Sequence, residues 1–547
     1  MPHGDQSSPD HRDGIARLRD PLGNKGSAFT AEERTRLGLE AMLPSAIETL
    51  AQQVARAIDY VRSKTVAMEK YLALRALQDE NETLFYRVVL DHMQELLPVI
   101  YTPTVGQACL DWGRNLQRPR GLHISMQHRG RIGQLLKQWP RQDIRVIVAT
   151  DGGRILGLGD LGANGMGIPI GKLTLYTVCG GVPPEVCLPV LLDVGTDNDA
   201  LRGDPYYLGE RHPRAHGEAY DVFIEEFVTA TQSVFPGAVL QFEDFNNKCA
   251  FALLERYRTR LCCFNDDVQG TGAMALAGLY SSGRITGRRL TDERILFVGA
   301  GEACLGIGAM IVAAMRHEGL ASTQARQRCL FIDSKGTVVE SRSNLPEHKR
   351  AFAQAIAALP DLVSTIEAFR PTALIGACGK PGVFTQAVLE AMARVNQRPV
   401  VFALSNPTSQ SECNALAAYT STQGRAVFAS GSPFEPVTLA GRTHSPAQAN
   451  NSYIFPGVGL GLLVSGASMA TEEMFLAAAR QLSAEVSEAD LQAGRIFPPA
   501  TRMREAAAAI AVAVAAVAHE RSIATRPRVG NLHAEVAAFM YEPGYAI

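Results

Sequence analysis

The sequence predicts an α/β protein in which a helical N-terminal region precedes two α/β units built on largely parallel sheets. From Ala31 to Leu97, apolar residues recur at helical spacing with few breakers. Beyond residue 120, short runs rich in β-branched residues alternate with helix-like stretches, which is the pattern of parallel strand–helix–strand units. A chain of 547 residues is also too long for one hydrophobic core, so several domains are expected.

The order of the segments predicts four regions. Residues 1–119 are expected to form a loosely ordered arm of about 30 residues and then helices. The first α/β unit covers 120–266, with strands in RVIVATD, LPVLLDVG and VLQFEDF, and is completed by the segment 452–525. The second unit covers 267–451, with strands in RILFVGAG, CLFIDSKG, TALIGACG and PVVFALSNP. Residues 526–547 are expected to be a tail.

Composition excludes several classes of protein. With 20% charged residues and a formal net charge of −2, the chain offers no electrostatic basis for binding nucleic acid or an anionic membrane. The ten cysteines contain no C-x-x-C pair, so neither a zinc knuckle nor a disulfide framework is indicated, and a reducing cytoplasm is expected.

The polar, acid-containing N-terminus argues against a signal or transit peptide. The apolar run Ala506 to Ala518 is shorter than the roughly 20 residues of a membrane span, and we expect a packed helix.

Four acidic residues follow two of the predicted strands. Glu243 and Asp244 end VLQFEDF, and Asp266 and Asp267 end LCCFNDD, with a helix-like stretch between them. Adjacent acids converge only if the strand ends there and the backbone turns. Because parallel strands of one crossover unit place their carboxyl ends together, all four acids are expected at one rim. Such a cluster repels itself unless a cation lies among the oxygens, so the sequence predicts a site for Mg²⁺ or Mn²⁺.

A simpler interpretation of the acid pair stays open. Glu243 and Asp244 can instead cap the following helix and pair with Lys248 or Arg256. The metal site is favoured by position, because open α/β sheets bind ligands at the carboxyl ends of their strands.

The segment Thr150 to Lys172 carries eight glycines, more than a regular element tolerates. Its backbone is therefore expected to pass very close to another group. Arg154 is suited to holding a carboxylate through two parallel hydrogen bonds. Lys172 is a candidate base if a bound metal offsets the nearby acids and burial favours the neutral amine, and the alternative is an ordinary surface lysine.

A glycine-rich turn in the second unit indicates a dinucleotide site. RILFVGAGEACLGIG has the spacing Gly299-x-Gly301-x-x-Cys304 between a strand and a helix, with cysteine in place of the third glycine. The helix N-terminus is then expected to take the pyrophosphate. Asp333 ends the next strand and is placed to accept a hydrogen bond from the adenosine ribose. The sequence predicts a Rossmann-like dinucleotide-binding domain here, with a mononucleotide site as the alternative.

The choice between NAD and NADP stays open. Asp333 repels a ribose 2′-phosphate and favours NAD, whereas Ser334, Lys335, Arg342 and Lys349 follow it and are suited to neutralising such a phosphate.

Nine segments, in order, resemble the malic enzyme family, and the resemblance extends from about Pro21 to about residue 525. They are LFYRVVLDHMQELLPVIYTPTVGQAC, TDGGRILGLGDLGANGMGIPIGK, LPVLLDVGTDN, QFEDF, FNDDVQGTG, FVGAGEACLGIG, FALSNPT, FASGSPF and NNSYIFPGVGLG. The resemblance implies oxidative decarboxylation of (S)-malate to pyruvate and CO₂ with NAD or NADP and Mg²⁺ or Mn²⁺. It also implies decarboxylation of oxaloacetate and a homodimer or homotetramer.

The resemblance also assigns roles to residues. Lys172 matches the base that takes the proton from the C2 hydroxyl, Asp266 its polar partner, and Tyr101 the acid that protonates C3 of enolpyruvate. The matching metal ligands are Glu243, Asp244 and Asp267. The residues expected to contact substrate are Arg154, Asn406, Asn450 and Asn451. Those expected to contact the coenzyme are Gly299, Gly301, Glu302, Cys304, Asp333, Ser334, Lys349, Asn406 and Asp267. Without the resemblance, Tyr101 is also compatible with packing under a proline turn, and Asn406 with a strand-end cap.

Two other functions remain as hypotheses. A relative that retains its coenzyme would convert malate to lactate without net redox change, and free NAD(P)H appearing with pyruvate would distinguish the two activities. A non-catalytic dinucleotide-sensing or scaffold protein on the same fold predicts degraded chemistry, whereas Tyr101, Lys172 and the three metal acids are all present.

Overall fold

The computed structural model describes residues 11–528 and 530–545. It divides into two compact units. One contains the chain up to Arg120 together with the segment from Tyr541, and the other contains Gly121–Met540. Residues 1–10 of the predicted arm lie outside the described residues.

The first unit is helical, as the apolar periodicity predicts. Its helices are α1 (His11–Arg19), α2 (Ala31–Leu37), α3 (Leu50–Arg62), α4 (Ala67–Glu80), α5 (Glu82–Asp91), α6 (Met93–Ile100), α7 (Thr104–Leu110) and α8 (Trp112–Asn115). The expectation of a loosely ordered arm is wrong for its second part, which contains α1 and a 3₁₀ turn at Gly26–Ala28. The buried Arg34 guanidinium explains the order of this turn, because it donates to the carbonyls of Ser27 and Phe29.

The second unit contains two sheets, and the first has five parallel strands. They are β1 (Leu122–Ser125), β2 (Val146–Thr150), β3 (Cys187–Asp193), β4 (Val239–Phe242) and β5 (Cys263–Asn265), in the order β1-β3-β2-β4-β5. The connecting helices are α9 (Ile132–Lys137), α10 (Gly167–Val178), α11 (Asp199–Gly203), α12 (Glu218–Val234) and α13 (Asn247–Tyr257). β2 and β4 are buried along their whole length, as expected for a parallel sheet covered on both faces. The edge strand β1 was not predicted, because its alternating sequence LHIS is only four residues long.

The second sheet has seven strands, in the order β14-β11-β10-β9-β6-β7-β8, and every pair is parallel except β7 with β8. Its strands are β6 (Ile295–Val298), β7 (Cys329–Asp333), β8 (Gly336–Thr337), β9 (Ala373–Gly376), β10 (Val400–Ala403), β11 (Val427–Ser430) and β14 (Ala447–Gln448). A separate hairpin is formed by β12 (Val437–Leu439) and β13 (Arg442–His444). The helices are α14 (Thr271–Thr286), α15 (Glu302–His317), α16 (Ser322–Gln327), α17 (Glu347–Arg350), α18 (Leu362–Phe369), α19 (Gln386–Val395) and α20 (Ala415–Ser421).

The chain ends in helices α21 (Phe455–Ser465), α22 (Glu472–Ala484), α23 (Glu488–Gln492), α24 (Met503–Glu520) and α25 (Leu532–Phe539), the last of which lies within the predicted tail. The predicted helix at 506–518 is confirmed as part of α24. None of the helices in the described ranges is both long and apolar enough to cross a bilayer.

Glycines allow α21 and α24 to pack closely. A Cβ at Gly461 would lie 2.7 Å from the carbonyl oxygen of Ala511 and 2.7 Å from Cβ of Val514. The same holds one turn earlier, where a Cβ at Gly457 would lie 2.7 Å from Cβ of Ile510. At these two glycines, the backbone of α21 therefore packs directly against α24.

We expect Gly461→Ala to destabilise the protein, because the added methyl group meets backbone that cannot move aside. Overpacking of this kind costs about 1–3 kcal/mol. Gly203→Ala is the control, since a Cβ there meets no atom within 4 Å. Thermal denaturation monitored by circular dichroism should give a lower midpoint for Gly461→Ala alone, and equal midpoints for the two variants would contradict the packing argument.

Candidate active site

The predicted metal ligands and the predicted glycine-rich turn lie near the topological switch points of the two sheets. In the first sheet the chain leaves β2 toward β3 on one side and returns to β4 on the other. In the second sheet β6 lies between β7 and β9 in the same way. Crevices at such points are where open α/β sheets bind ligands. The acid cluster follows β4 and β5, and the glycine-rich turn follows β6.

The acid pair converges because the strand ends one residue before it. β4 stops at Phe242, and Asp244 has a φ of 54°, a left-handed conformation unusual for a non-glycine residue. The backbone N–H of Asp244 donates to Oδ2 of Asp267 at 2.8 Å, which joins the ends of the two strands. One carboxylate oxygen from each of Glu243, Asp244 and Asp267 lies within 4.8 Å of the others. The three predicted ligands are therefore together.

This cluster fits a hard cation. Burial raises the pKa of Glu243 and of Asp244 well above the usual range, and the charge of Asp267 raises both pKa values further. Oδ2 of Asp244 is buried and has no hydrogen-bond partner within the part of the chain that the structure describes. An all-oxygen donor set with one free carboxylate oxygen matches the preference of Mg²⁺ or Mn²⁺.

The helix-capping alternative for the acid pair is not supported. Glu243 pairs with Lys172 at 2.8 Å, and Arg256 pairs with Asp221 at 3.5 Å. The side chain of Lys248 lies outside the described residues.

Lys172 is buried against the cluster, so the surface-lysine alternative is wrong. It lies on α10 with 1% of its side chain exposed, and its Nζ contacts Glu243 Oε1 at 2.8 Å and also Asp266 Oδ2. The ring of Phe455 covers it, with Nζ 4.5 Å from the ring centroid. The amine is thus held among acids and shielded from water on one side.

Asp266 is held by a local feature of the chain. It opens a π-helical turn, Asp266–Gly270, that leads directly into α14. A Cβ at Gly270 would lie 1.8 Å from Oδ1 of Asp266, so only glycine leaves room for the carboxylate. Burial raises the pKa of Asp266 to about 6, against the opposing charge of Lys172.

The glycine-rich segment passes close to other backbone, as predicted. The N–H of Arg154 donates to the carbonyl of Asp244 at 3.1 Å, and a Cβ at Gly157 would lie 2.3 Å from the carbonyl oxygen of Asn406. The guanidinium of Arg154 is partly exposed, and its Nη1 lies 3.5 Å from Glu302. Arg154 therefore stands between the acid cluster and the first residue of α15.

The sequence did not indicate the residue that fixes this segment. Arg214 is buried, pairs with Asp151 at 3.0 Å and with Asp160 at 3.3 Å, and donates to the carbonyl of Gly195. Asp151 also accepts from Tyr220 Oη at 2.9 Å. Asp151 and Asp160 lie at the two ends of the loop that carries Arg154, so one guanidinium holds both ends. Arg214 is 54 residues from Asp160 in sequence, and no local pattern signals the contact.

The glycine-rich turn after β6 lines a cavity of about 1040 Å³, which also contacts Arg154, Phe251, Asp333, Ser334, Lys349 and Cys378. Gly299 has a φ of 119°, and a Cβ there would lie 3.2 Å from Ala377 O and 3.2 Å from Cys304 Sγ. Cys304 is fully buried, so the residue in place of the third glycine fits without blocking the turn. A Cβ at Gly301 would meet no atom within 4 Å, which leaves open space over the start of α15.

The pKa values of two carboxylates of this cavity are shifted in opposite directions. Burial, reinforced by the charge of Asp267, raises the pKa of Glu302 to about 8. Asp333 is also partly buried, but Arg342 at 3.0 Å and Lys349 at 2.9 Å donate hydrogen bonds to it and lower its pKa to about 2. The negative charge at the end of β7 is therefore already neutralised.

The remaining predicted residues lie in three segments of the chain. Asn406 follows β10, and its Oδ1 accepts from Ser432 Oγ at 2.8 Å. Asn450 caps the 3₁₀ turn that begins at Asn451, since its Oδ1 accepts from the N–H of Ser452. Tyr101 belongs to the first unit, where it is buried and ends α6 by donating its N–H to the carbonyl of Leu97.

The chain matches two family models, "Malic enzyme, N-terminal domain" over residues 78–258 and "Malic enzyme, NAD binding domain" over residues 268–519. It is 47% identical over 538 residues to "NADP-dependent malic enzyme" of Rattus norvegicus, covering 98% of this chain and 94% of the relative. It is 45% identical to "NADP-dependent malic enzyme, mitochondrial" of Homo sapiens, covering 96% and 88%. Among solved structures, the malic enzymes of Entamoeba histolytica and Pyrococcus horikoshii share the fold. Their TM-scores are 0.59 and 0.56 at 20% and 22% identity, over 92% and 82% of this chain and 90% and 89% of theirs.

We expect Arg214→Gln to lower the free energy of unfolding by about 3–5 kcal/mol, because the buried Asp151 and the partly buried Asp160 lose their common partner. Arg258→Gln is the control, since its ion pair with Glu255 is exposed and such pairs contribute about 0–1 kcal/mol. Urea denaturation followed by tryptophan fluorescence measures both. A change below about 1 kcal/mol for Arg214→Gln would show that the guanidinium does not hold the loop.

Proposed function

Because this chain belongs to the malic enzyme family, we propose roles for its residues in the oxidative decarboxylation of malate to pyruvate and CO₂ with a nicotinamide coenzyme. The observation that carries the proposal is the position of Lys172 Nζ, which is buried in contact with Glu243 and Asp266 beside the acid cluster. An amine, a set of hard oxygen ligands and a dinucleotide-binding turn are the groups that this reaction requires.

Glu243, Asp244 and Asp267 are the proposed ligands of Mg²⁺ or Mn²⁺. The proximity of their oxygens and the unpartnered Oδ2 of Asp244 support this assignment. A divalent cation held there supplies a Lewis acid, which stabilises negative charge on the C2 oxygen of the substrate.

Lys172 is the proposed base that takes the proton from the C2 hydroxyl while hydride leaves C2 for the coenzyme. Between two ionised carboxylates the amine would stay protonated. When Glu243 serves as a metal ligand, Asp266 remains as the partner of Lys172, and the nearly complete burial of the Lys172 side chain favours the neutral amine. Asp266 then keeps the amine in place and receives its hydrogen bond.

The proposed substrate contacts are based on geometry for one residue and on sequence motifs for the others. Arg154 is the proposed partner of a malate carboxylate, because its guanidinium is partly exposed on the loop that contacts Asp244. The SNPT and NNSYIFPG motifs are the basis for proposing that Asn406, Asn450 and Asn451 contact the substrate. Tyr101, as the acid that returns a proton to C3, rests on the YTPTVG motif alone.

NADP is the proposed coenzyme. The relatives of Rattus norvegicus and Homo sapiens are named as NADP-dependent. In this chain Asp333 is neutralised by Arg342 and Lys349, so it does not repel a 2′-phosphate, and Ser334 and Lys349 line the same cavity. Gly299, Gly301, Glu302, Cys304, Asn406 and Asp267 are kept as proposed coenzyme contacts.

The larger organisation is also proposed. Residues 120–266 with 452–525 form the catalytic domain, 267–451 the coenzyme domain, 1–119 the helical region and 526–547 the tail. A homodimer or homotetramer follows from family membership. The ten cysteines, all free where the structure describes them, support a reducing compartment such as the cytoplasm.

An initial-rate assay tests the function directly. The purified chain is given malate and Mn²⁺ with either NAD or NADP, and reduced coenzyme and pyruvate are both measured. The expected result is equal amounts of the two products, with faster turnover on NADP. Lactate without free reduced coenzyme would indicate the alternative activity, and no turnover would indicate a non-catalytic protein.

We expect Lys172→Ala to lower kcat by about a hundredfold or more, as for the loss of a general base, with coenzyme affinity unchanged. Lys172→Arg is expected to be similarly slow, because guanidinium keeps its proton at neutral pH. Lys137→Ala, at the exposed end of α9, is the control. Steady-state kinetics and NADPH fluorescence titration measure the two quantities, and near-normal kcat in either Lys172 variant would remove the residue from this role.

We expect Lys349→Gln to raise the KM for NADP by about tenfold and to leave the KM for NAD nearly unchanged, because one charged hydrogen bond to the 2′-phosphate is lost. Arg350→Gln is the matched control, since it is adjacent and cationic but lies outside the cavity. A parallel rise for both coenzymes would mean that Lys349 supports the fold of the cavity and does not read the phosphate.

A further inference from the structure

The first residue of the QFEDF motif has no role in the mechanism above, yet it is fully buried. Gln241 lies on β4, two residues before Glu243, whose N–H still donates to the carbonyl of Ala149 on β2. Both side chains therefore leave the same side of the extended chain. A buried primary amide requires partners for its oxygen and its nitrogen. In this chain both partners are side chains at or next to the acid cluster.

The amide connects a tyrosine to the proposed metal ligand. Tyr176 Oη donates to Oε1 of Gln241 at 2.6 Å, and Nε2 of Gln241 donates to Oε2 of Glu243 at 2.8 Å. Tyr176 and Gln241 are both fully buried. The tyrosine ring has a defined place, because it packs edge-on against Phe455 and a Cβ at Gly459 would lie 2.3 Å from its Cε1.

The chain of hydrogen bonds has one direction. If the amide of Gln241 were reversed, its oxygen would face the carboxylate of Glu243 at hydrogen-bond distance with no proton between them. The ionised carboxylate of Glu243 can only accept, so it takes the NH₂ group of Gln241 and leaves the amide oxygen to accept from the hydroxyl of Tyr176.

Both oxygens of Glu243 are therefore held from one helix. Lys172 Nζ contacts Oε1 at 2.8 Å, and Tyr176 holds Oε2 through Gln241. Lys172 and Tyr176 are four residues apart on α10, so they project from the same face. One rigid element thus sets the orientation of the carboxylate and the position of the amine.

We propose that Tyr176 and Gln241 are positioning residues, which fix the carboxylate of Glu243 for the divalent cation by a hydrogen-bonded relay from α10. This inference rests on the proposed function, since it takes Glu243 as a metal ligand. Groups that hydrogen-bond to metal ligands typically change metal affinity by about 10–100-fold when removed.

The test is Mn²⁺ binding to the full-length protein in the absence of malate and coenzyme, measured by the electron paramagnetic resonance signal of free Mn²⁺. We expect Gln241→Leu to raise the Kd by about tenfold or more. Tyr176→Phe removes one hydroxyl and is expected to raise the Kd in the same direction by a smaller factor. Since both act on one hydrogen-bond chain, the double variant is expected to match Gln241→Leu alone.

Tyr257→Phe is the matched control. It removes the hydroxyl of a buried tyrosine that packs on Phe242 of the same strand but donates to Glu225, away from the site. Its Kd for Mn²⁺ is expected to equal that of the unmodified chain. Melting temperatures of all variants identify any general loss of structure, and Tyr176→Phe, which keeps the ring, is the variant least expected to unfold.

The outcomes separate the relay from the metal site itself. Weaker Mn²⁺ binding by Gln241→Leu and Tyr176→Phe, with no effect of Tyr257→Phe, supports the relay. If Asp267→Ala weakens binding while neither relay variant does, the relay is overturned and the metal site stands. If the unmodified chain binds no Mn²⁺, the metal assignment and the relay are overturned together.

Discussion

The structure depends on placing four carboxylates, three of them buried and that of Asp267 partly exposed, at the ends of two neighbouring strands. Ionised acids at this separation repel each other strongly where water is excluded. Lys172 compensates two of them directly, through Glu243 and Asp266. Asp244 and Asp267 face the remaining space with one oxygen unpartnered. A divalent cation at this point would offset the remaining negative charge, and the arrangement of the acids in this way supports the proposed metal site.

Much of the surrounding backbone keeps these acids in place. The left-handed conformation of Asp244 turns its carboxylate toward Asp267, and glycine at position 270 makes room for Asp266. The loop that carries Arg154 is joined to Asp244 through its backbone and closed at both ends by Arg214. Each of these features has a free-energy cost, either in backbone conformation or in the burial of charged groups, and a stable fold does not require any of them. Their common effect is to fix oxygen atoms at one point.

The sequence predicted the features that depend on local pattern. Glu243, Asp244 and the glycine turn at Gly299 follow strands directly, so knowing where each strand ended was enough to place them at a ligand-binding edge. The two sheets were predicted for the same reason. Arg214 and the contact between Tyr176 and Gln241 were missed, because their partners are 54 and 65 residues away and the residue types alone do not reveal the pairing. Strand β1 and helix α1 were missed because four and nine residues are too few for their apolar pattern to stand out from the flanking sequence.

The coenzyme cavity follows a different electrostatic principle from the acid cluster. Asp333, read alone, indicates a preference for NAD, because a carboxylate at the end of the second Rossmann strand repels a phosphate. In the fold, Arg342 and Lys349 already neutralise this carboxylate. Two cations surround one anion, so the end of β7 has net positive character. A residue that by itself suggests NAD is in this setting compatible with the proposed NADP. The net charge near a bound ligand therefore depends on which cationic side chains pair with Asp333. The order of residues in the sequence does not show which of them lie within ion-pair distance.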